Sequence, residues 1–248
     1  MSLPRFLVSP DAVRDGGATV SGGELAHMRK VLRLKPGARV LLWDGAGSEH
    51  EALIRAYEGG VAAMTVVRSY RPERESPLAV TLAQAVGKGD KMDWIVEKST
   101  ELGVARVAPF FSSHTVPRYA GERAARRRER WEKIAAAAAR QSGRTRIPEI
   151  GEPDGFDAML ARDWQCDARL LFREGPSDRG LASLKEEHGS WRSVLVMVGP
   201  EGGFSEDEAA RAAAHGFHTV GLGRRILRTE TAAVAAVCAV QLLWGDLG

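Results

Sequence analysis

Two cysteines in 248 residues, Cys166 and Cys238, are too few for a disulfide framework. Both read as small core residues. The six histidines stand singly, and the chain has neither a Cys-x-x-Cys nor a His-x-x-x-His spacing, so no metal is expected. Long apolar runs are missing too. None approaches the roughly twenty residues of a membrane span, and Met1–Pro10 has neither the basic start nor the apolar core of a secretory signal. The chain therefore reads as a soluble, cytoplasmic protein with no membrane partner. Its 44% hydrophobic content is enough to bury a full core, and its length allows one large domain or two smaller ones.

What the chain does have is a pair of unusual turns. Residues 199–204 read Gly-Pro-Glu-Gly-Gly-Phe directly after the apolar run Val194–Val198. Leu222–Ala232 reads Leu-Gly-Arg-Arg-Ile-Leu-Arg-Thr-Glu-Thr-Ala after the stretch His218–Leu222. Each sits where a strand ends, and in open α/β sheets ligands bind beyond the carboxyl ends of the strands. The ligand is not a phosphate. Glu201 stands in the first turn, and Ser205-Glu-Asp-Glu208 is a capping box whose acids occupy the positive end of the helix dipole. The glycines are not spaced as Gly-x-Gly-x-x-Gly, and no clear acid ends the next strand to hold a ribose in the dinucleotide manner. A ligand with a flat ring, a ribose and positive charge fits better. S-adenosyl-L-methionine has all three.

These two stretches, with Gln84–Gly103, Arg130–Pro148, Arg5-Phe6 and His27–Gly37, resemble the RsmE family of ribosomal RNA uridine-N3 methyltransferases in the SPOUT class. The resemblance spans nearly the whole chain. It implies a deep trefoil knot, a homodimer, S-adenosyl-L-methionine as donor, and as acceptor a 16S rRNA uridine near the decoding centre of the small ribosomal subunit. None of these follows from periodicity or composition. A knot also runs against the general rule that connections do not thread loops.

The pattern divides into a small β-barrel, PUA-like by the resemblance, over residues 1–72 and an α/β domain over residues 73–248. Ser21-Gly-Gly-Glu24 is a capping box for a short helix, and Ala38–Trp43, His50–Tyr57 and Val61–Ser69 read as strands, the first two flanking the turn Asp44-Gly-Ala-Gly47. Arg71–Pro77, polar and bracketed by prolines, reads as the linker. Beyond it, strands Leu78–Val86, Arg106–Phe111, Ala168–Phe172, Ser193–Val198 and Thr219–Leu222 alternate with helices, among them Asp90–Leu102 and Glu122–Gln141. That order predicts a mostly parallel sheet. The closing helix, Thr231–Trp244, is apolar on several sides, which either a central core position or a dimer interface satisfies.

Net charge is only +3, but between Arg118 and Arg146 nine arginines and Lys133 face Glu122, Glu129 and Glu132. Such a stripe gathers phosphates by counterion release; its bland counterpart is a solvated helix face with Glu–Arg pairs. Arg5, Arg29, Arg33, Lys88, Arg144 and Arg146 form the expected RNA track. For the cofactor, Gly199, Gly202 and Gly203 with Pro200 exceed what a tight turn needs, and they read as close backbone approach to a ligand beside Glu201. Leu222, Gly223, Ile226, Leu227 and Thr231 form the second cofactor-binding wall, with Ile226 and Leu227 either sandwiching an adenine or serving as ordinary core. The resemblance adds the strand end Leu171-Phe172, with Arg173-Glu174 following. Arg228 is the catalytic candidate, as a cation near the acceptor base, or else it pairs with Glu230 or caps carbonyls. Uracil N3 must lose its imide proton, and Glu201, Glu230 or hydroxide serves as the acceptor. Two other classes use the same features: a nicotinamide oxidoreductase, which lacks its fingerprint here, and a non-catalytic RNA-binding protein.

Overall fold

The computed structural model describes residues 3–116, 118–175 and 180–248. They gather into two compact units, Met1–Glu75 with Ala139–Ile147, and Ser76–Ala138 with Pro148–Gly248.

In the first unit, β1 (Arg5–Leu7), β2 (Val13–Arg14), β3 (Gly17–Val20), β4 (Arg39–Trp43), β5 (Glu49–Glu58) and β6 (Val61–Tyr70) form one sheet in the order β1-β4-β5-β6-β3-β2. Two register shifts between β5 and β6 curl it. Phe6, Val20, Leu42, Ile54, Ala62 and Met64, from five different strands, consequently meet in one buried cluster. The turn between β4 and β5 is held by Asp44, whose Oδ1 accepts from Ala46 N (2.8 Å) and Ser48 N (2.9 Å). The capping box at Ser21 does not form. The helix α1 (Gly22–Ala26) starts without a side-chain cap, because Glu24 is instead paired with Arg140 at 2.9 Å. An arginine brought in by the tertiary fold displaces the local bond.

Arg71–Pro77 is no loose tether. Arg74 bonds Glu49 at 3.0 Å, and Glu49 is fully buried and also holds Arg5 at 2.7 Å. Glu75 gathers the returning segment: Arg144 Nη2 (2.6 Å) and Nε (3.0 Å), Thr145 N (2.8 Å) and Arg146 N (3.0 Å) all donate to it. That is why Ala139–Ile147 belongs to the first unit although it begins as the last turn of a helix that starts in the second. No local pattern in the sequence announces this return.

In the second unit, β7 (Ala79–Ala85), β8 (Arg106–Phe111), β9 (Glu149–Ile150), β10 (Asp154–Gly155), β11 (Ala168–Phe172), β12 (Ser193–Val198) and β13 (Phe217–Val220) form an all-parallel sheet. The order is β10-β8-β7-β12-β11-β13, with β9 also on β8. The helices are α2 (Lys91–Glu101), α3 (Glu122–Ser142), α4 (Phe156–Ala161), α5 (Leu181–His188), α6 (Glu206–Ala214) and α7 (Thr229–Trp244). Val194–Val198 is buried throughout because both faces of its strand are covered. Leu195 and Met197 join Phe110, Phe156 and Leu171 in a core on one face, and α7 packs against β12 and β7. Cys166 is half-buried beside that core, but Cys238 is exposed on α7 and is no core residue. The side of α7 that carries it also exposes Leu242, and no other described element covers this stripe.

Arg144 and Glu75 yield a stability test. Burial alone raises the Glu75 carboxyl, and the Arg144 bond and charge with the Thr145 and Arg146 amides more than offset this, leaving it below the ordinary range. A depressed folded-state value means the stabilisation is complete above the unfolded value, about 4.3, and is lost as pH falls through the folded one. Arg144→Ala is expected to cost about 2 kcal/mol by taking its charged partner from a half-buried acid that keeps the Thr145 and Arg146 amides. It should also flatten the acid limb of stability against pH, as urea unfolding at several pH values will show.

Candidate active site

Four loops at the carboxyl ends of the parallel strands, after β7, β11, β12 and β13, converge on one cavity of 540 Å³ in the second unit. The turn after β12 supplies its floor. Gly203 N donates to Pro200 O (3.0 Å), and Gly203 sits at φ +68, a left-handed conformation that favours glycine. Gly199 is required for a different reason. A Cβ there would lie 3.1 Å from the ring of Phe204, which stacks on Phe110 and anchors the turn in the core. At Gly202 a Cβ would meet His114 Cβ at 3.0 Å. His114, from the loop after β8, places Nδ1 at 3.0 Å from Gly202 O.

The turn is also pinned from the start of each flanking helix. The capping box of α6 forms, with Glu208 N donating to Ser205 Oγ (3.1 Å) and Ser205 N to Glu208 Oε2 (2.9 Å). Glu208 is buried and further accepts from Ser113 N and Oγ. Burial raises its carboxyl, but these bonds bring it below the ordinary range. The positive end of α6 is thus filled by the protein's own acid. On the other side, Gln84 Nε2 at the end of β7 donates to Thr229 Oγ1 (3.0 Å), and Thr229 donates to Gly199 O at 2.6 Å.

The structure brings most of the expected cofactor residues together. Phe172, Gly199, Pro200, Glu201, Gly202, Gly203, Leu222, Gly223, Ile226 and Leu227 all line the cavity, as does Arg228. Leu171 and Thr231 do not. Leu171 is fully buried between Met197 and Thr219 in the sheet, and alternation along β11 turns it into the core while Phe172 reaches the cavity. Thr231 lies exposed on the first turn of α7, while Thr229 and Ala232 take the lining positions. The strand β13 ends at Val220, so Leu222 belongs to an irregular strap over residues 221–228. Ile226 on that strap is 78% exposed, an apolar side chain open to the cavity and not a core residue. Arg228 is exposed and forms no ion pair among the described residues. Glu230, its candidate partner, is paired with Lys91. Lys91, like Arg225, Thr229 and Ala232, lines the cavity although the sequence does not single it out. The strand order sets β7 beside β12 and so carries Lys91 across to Glu201.

The arginine stripe is largely neutralised. Arg126 pairs with Glu122, Arg128 with Glu132 and Glu152, Arg130 with Asp93, Lys133 with Glu129, and Arg140 with Glu24. Half of those acids lie outside the window in sequence, which is why the local excess misleads. Arg144, 7% exposed and bound to Glu75, cannot form part of an RNA track without leaving that acid. Arg5, with its side chain 13% exposed between Glu49 and two backbone carbonyls, is likewise a structural cation. Arg29, Arg33, Lys88 and Arg146 are exposed. Arg29 lies 5.1 Å over the Tyr57 ring, and Arg33 holds a left-handed φ of +52. Among the described residues no group of three His, Cys, Asp or Glu side chains could hold a metal ion, and no helix is long and apolar enough to cross a membrane.

Comparison with known proteins meets this geometry at both units. Residues 74–241 match the model of an RNA methyltransferase domain, and residues 20–56 that of an RNA methyltransferase PUA domain. The ribosomal RNA small subunit methyltransferase E of Bacillus subtilis is 33% identical over 236 residues, 92% of either chain. The crystal structure of the same-named protein from Neisseria gonorrhoeae, bound to S-adenosyl methionine, superposes with a TM-score of 0.87 at 35% identity over the whole of both chains. A putative methyltransferase of Legionella pneumophila, also in complex with that cofactor, gives 0.89 at 31% identity over the whole of both chains. The family model spans residues 74–241 and the Bacillus subtilis protein is 33% identical over 92% of its length, so the chain belongs to the family of the ribosomal RNA small subunit methyltransferase E proteins.

Proposed function

We propose that the chain is an S-adenosyl-L-methionine-dependent methyltransferase that modifies N3 of a uridine in 16S rRNA, and that it works in the cytoplasm as a homodimer. The observation that carries this reading is the cavity. Its floor is backbone brought close by Gly199, Gly202 and Gly203, its wall is the apolar strap with Leu222, Ile226 and Leu227, and its volume of 540 Å³ lies in the range of small-molecule sites. Those groups suit a flat adenine and a ribose. Glu174 and Glu201 on the rim suit the cationic end of the same molecule. When bound, the cofactor supplies a methyl group on a sulfonium.

The chain's own residues do the rest. The turn and strap orient both reactants, which removes much of the entropic cost of bringing them together, and Arg228 presents a positive charge where the ring becomes anionic. The return of the chain from β13 at the sheet edge to α7 on β12 and β7, with Thr229 bonded back to Gly199, supports the family's trefoil knot. The PUA-like unit, with exposed Arg29, Arg33 and Arg146, is the surface proposed to hold RNA. Cys238 and Leu242 on the open stripe of α7 support a second copy as its cover.

Tritiated donor incubated with 16S rRNA, small subunits and large subunits tests the activity; RNA binding without transfer would leave a non-catalytic RNA-binding protein. Ile226 lines the cavity and is 78% exposed, so Ile226→Ser should keep the fold and remove an apolar wall of the site. Its affinity for S-adenosylhomocysteine is expected to fall at least tenfold, the equivalent of about 1.4 kcal/mol, by calorimetry. Removing Arg29, Arg33 or Arg146 should each flatten the log–log salt dependence of RNA binding by about 0.7 to 0.9, with donor affinity unchanged. Sedimentation is expected to find a dimer throughout the micromolar range, and Leu242→Glu should dissociate it.

A further inference from the structure

Lys91, the first residue of α2, reaches the cavity from the loop after β7. Its ammonium lies 2.9 Å from Glu201 Oε1 and 3.2 Å from Glu230 Oε2. Glu201 Oε1 also accepts from Lys88 N at 3.1 Å. Burial by itself raises the Glu201 carboxyl, and the bonds from Lys91 and Lys88 N with the Lys91 charge more than offset this, holding it below the ordinary range. Burial lowers Lys91, and the two glutamates outweigh it, holding the ammonium above its ordinary range. Held below the ordinary range, Glu201 is a poor proton acceptor, and Glu230 lies against the same ammonium. An ammonium carries three N–H donors and no acceptor. Both glutamates lie within ion-pair distance, Glu230 Oε2 without a hydrogen bond, so at least one N–H is left on a side chain that lines the cavity.

We propose that this remaining N–H of Lys91 donates to a carbonyl oxygen beside the uridine N3, stabilising the ring anion, and that neither Glu201 nor Glu230 acts as general base. The proposal rests on the reading of the cavity given above. In the step it describes, the N3–H bond breaks, its electron pair stays on the ring as a delocalised imide anion, and the proton passes to solvent hydroxide to give water. The negative charge spreads onto the oxygens that flank N3, where a fixed ammonium is worth most because it needs no reorganisation. Glu201 and Glu230 are positioning residues that keep Lys91 charged and in place. The other charges around the cavity are Arg173 and Glu174 after β11, and Arg225 and Arg228 on the strap. Arg173 is paired with Glu206.

Single-turnover methyl transfer to small subunits as a function of pH tests this, for wild type, Lys91→Arg and Lys91→Met, with S-adenosylhomocysteine affinity and thermal unfolding measured alongside. The wild-type rate is expected to climb with pH through neutrality, as it must when hydroxide removes the proton. Lys91→Met should lower the neutral-pH rate about a hundredfold, with a loss that shrinks as pH rises and the imide ionises unaided. Lys91→Arg should recover most of the rate, and donor affinity should stay within about twofold in both, well under 1 kcal/mol. A wild-type rate flat with pH, a Lys91→Met defect equal at all pH values, or a parallel loss of donor affinity overturns the proposal. Absence of transfer by the wild-type protein to any RNA overturns the functional reading itself, and is seen in the wild-type arm alone.

Discussion

The site depends on one bond, the 2.6 Å contact from the Thr229 hydroxyl to the carbonyl of Gly199. Thr229 opens the last helix and Gly199 closes a central strand, so this bond joins the end of the strap to the floor of the cavity. It forms only because nothing stands between the two backbones. Gly199 has no side chain, Phe204 fills the space a Cβ would take, and Gln84 holds the hydroxyl from the adjacent strand. Thr229 and Gln84 are buried, and bonds in such surroundings cost more to lose than to make. The loops around the cavity owe their order to that frame.

Electrostatics is arranged on the same principle of satisfying charge locally. Most of the arginines on α3 and after it are paired, several with acids distant in sequence, so a concentrated positive stretch becomes a set of ion pairs that fix helix and strand positions. Near the surface each pair contributes little. Glu49 and Glu75 are different: the first is fully buried and the second half-buried, and arginines from separate segments hold both. At the cavity the balance reverses. Arg228 forms no ion pair among the described residues, and Lys91 lies between Glu201 and Glu230, and both cations line the cavity.

Much of the second unit could be read without coordinates. The runs Arg106–Phe111, Ala168–Phe172 and Ser193–Val198 match β8, β11 and β12 residue for residue, because strands covered on both faces leave nearly continuous apolar runs, broken in β11 only by Arg169. The capping box at Ser205 was legible because both partners lie within one helical turn. Its counterpart at Ser21 failed because Arg140 competes for Glu24 from more than a hundred residues away. Leu171 and Phe172 look alike as neighbours in sequence, and only the pleat decides which of them meets the cavity.

Local pattern was enough for the longer strands and helices, for the two glycine-bearing turns and for the case against a phosphate at the first of them, and motifs spread over the whole length were enough for the family. Periodicity and capping are local, so they survive in one dimension. Tertiary structure alone decided which strands are neighbours, hence that Lys91 reaches Glu201, that Glu75 gathers Arg144, and that Thr229 and not Thr231 faces the turn. Those contacts join residues between about thirty and more than a hundred positions apart. Strand order and chain return create them, and neither leaves a local signal.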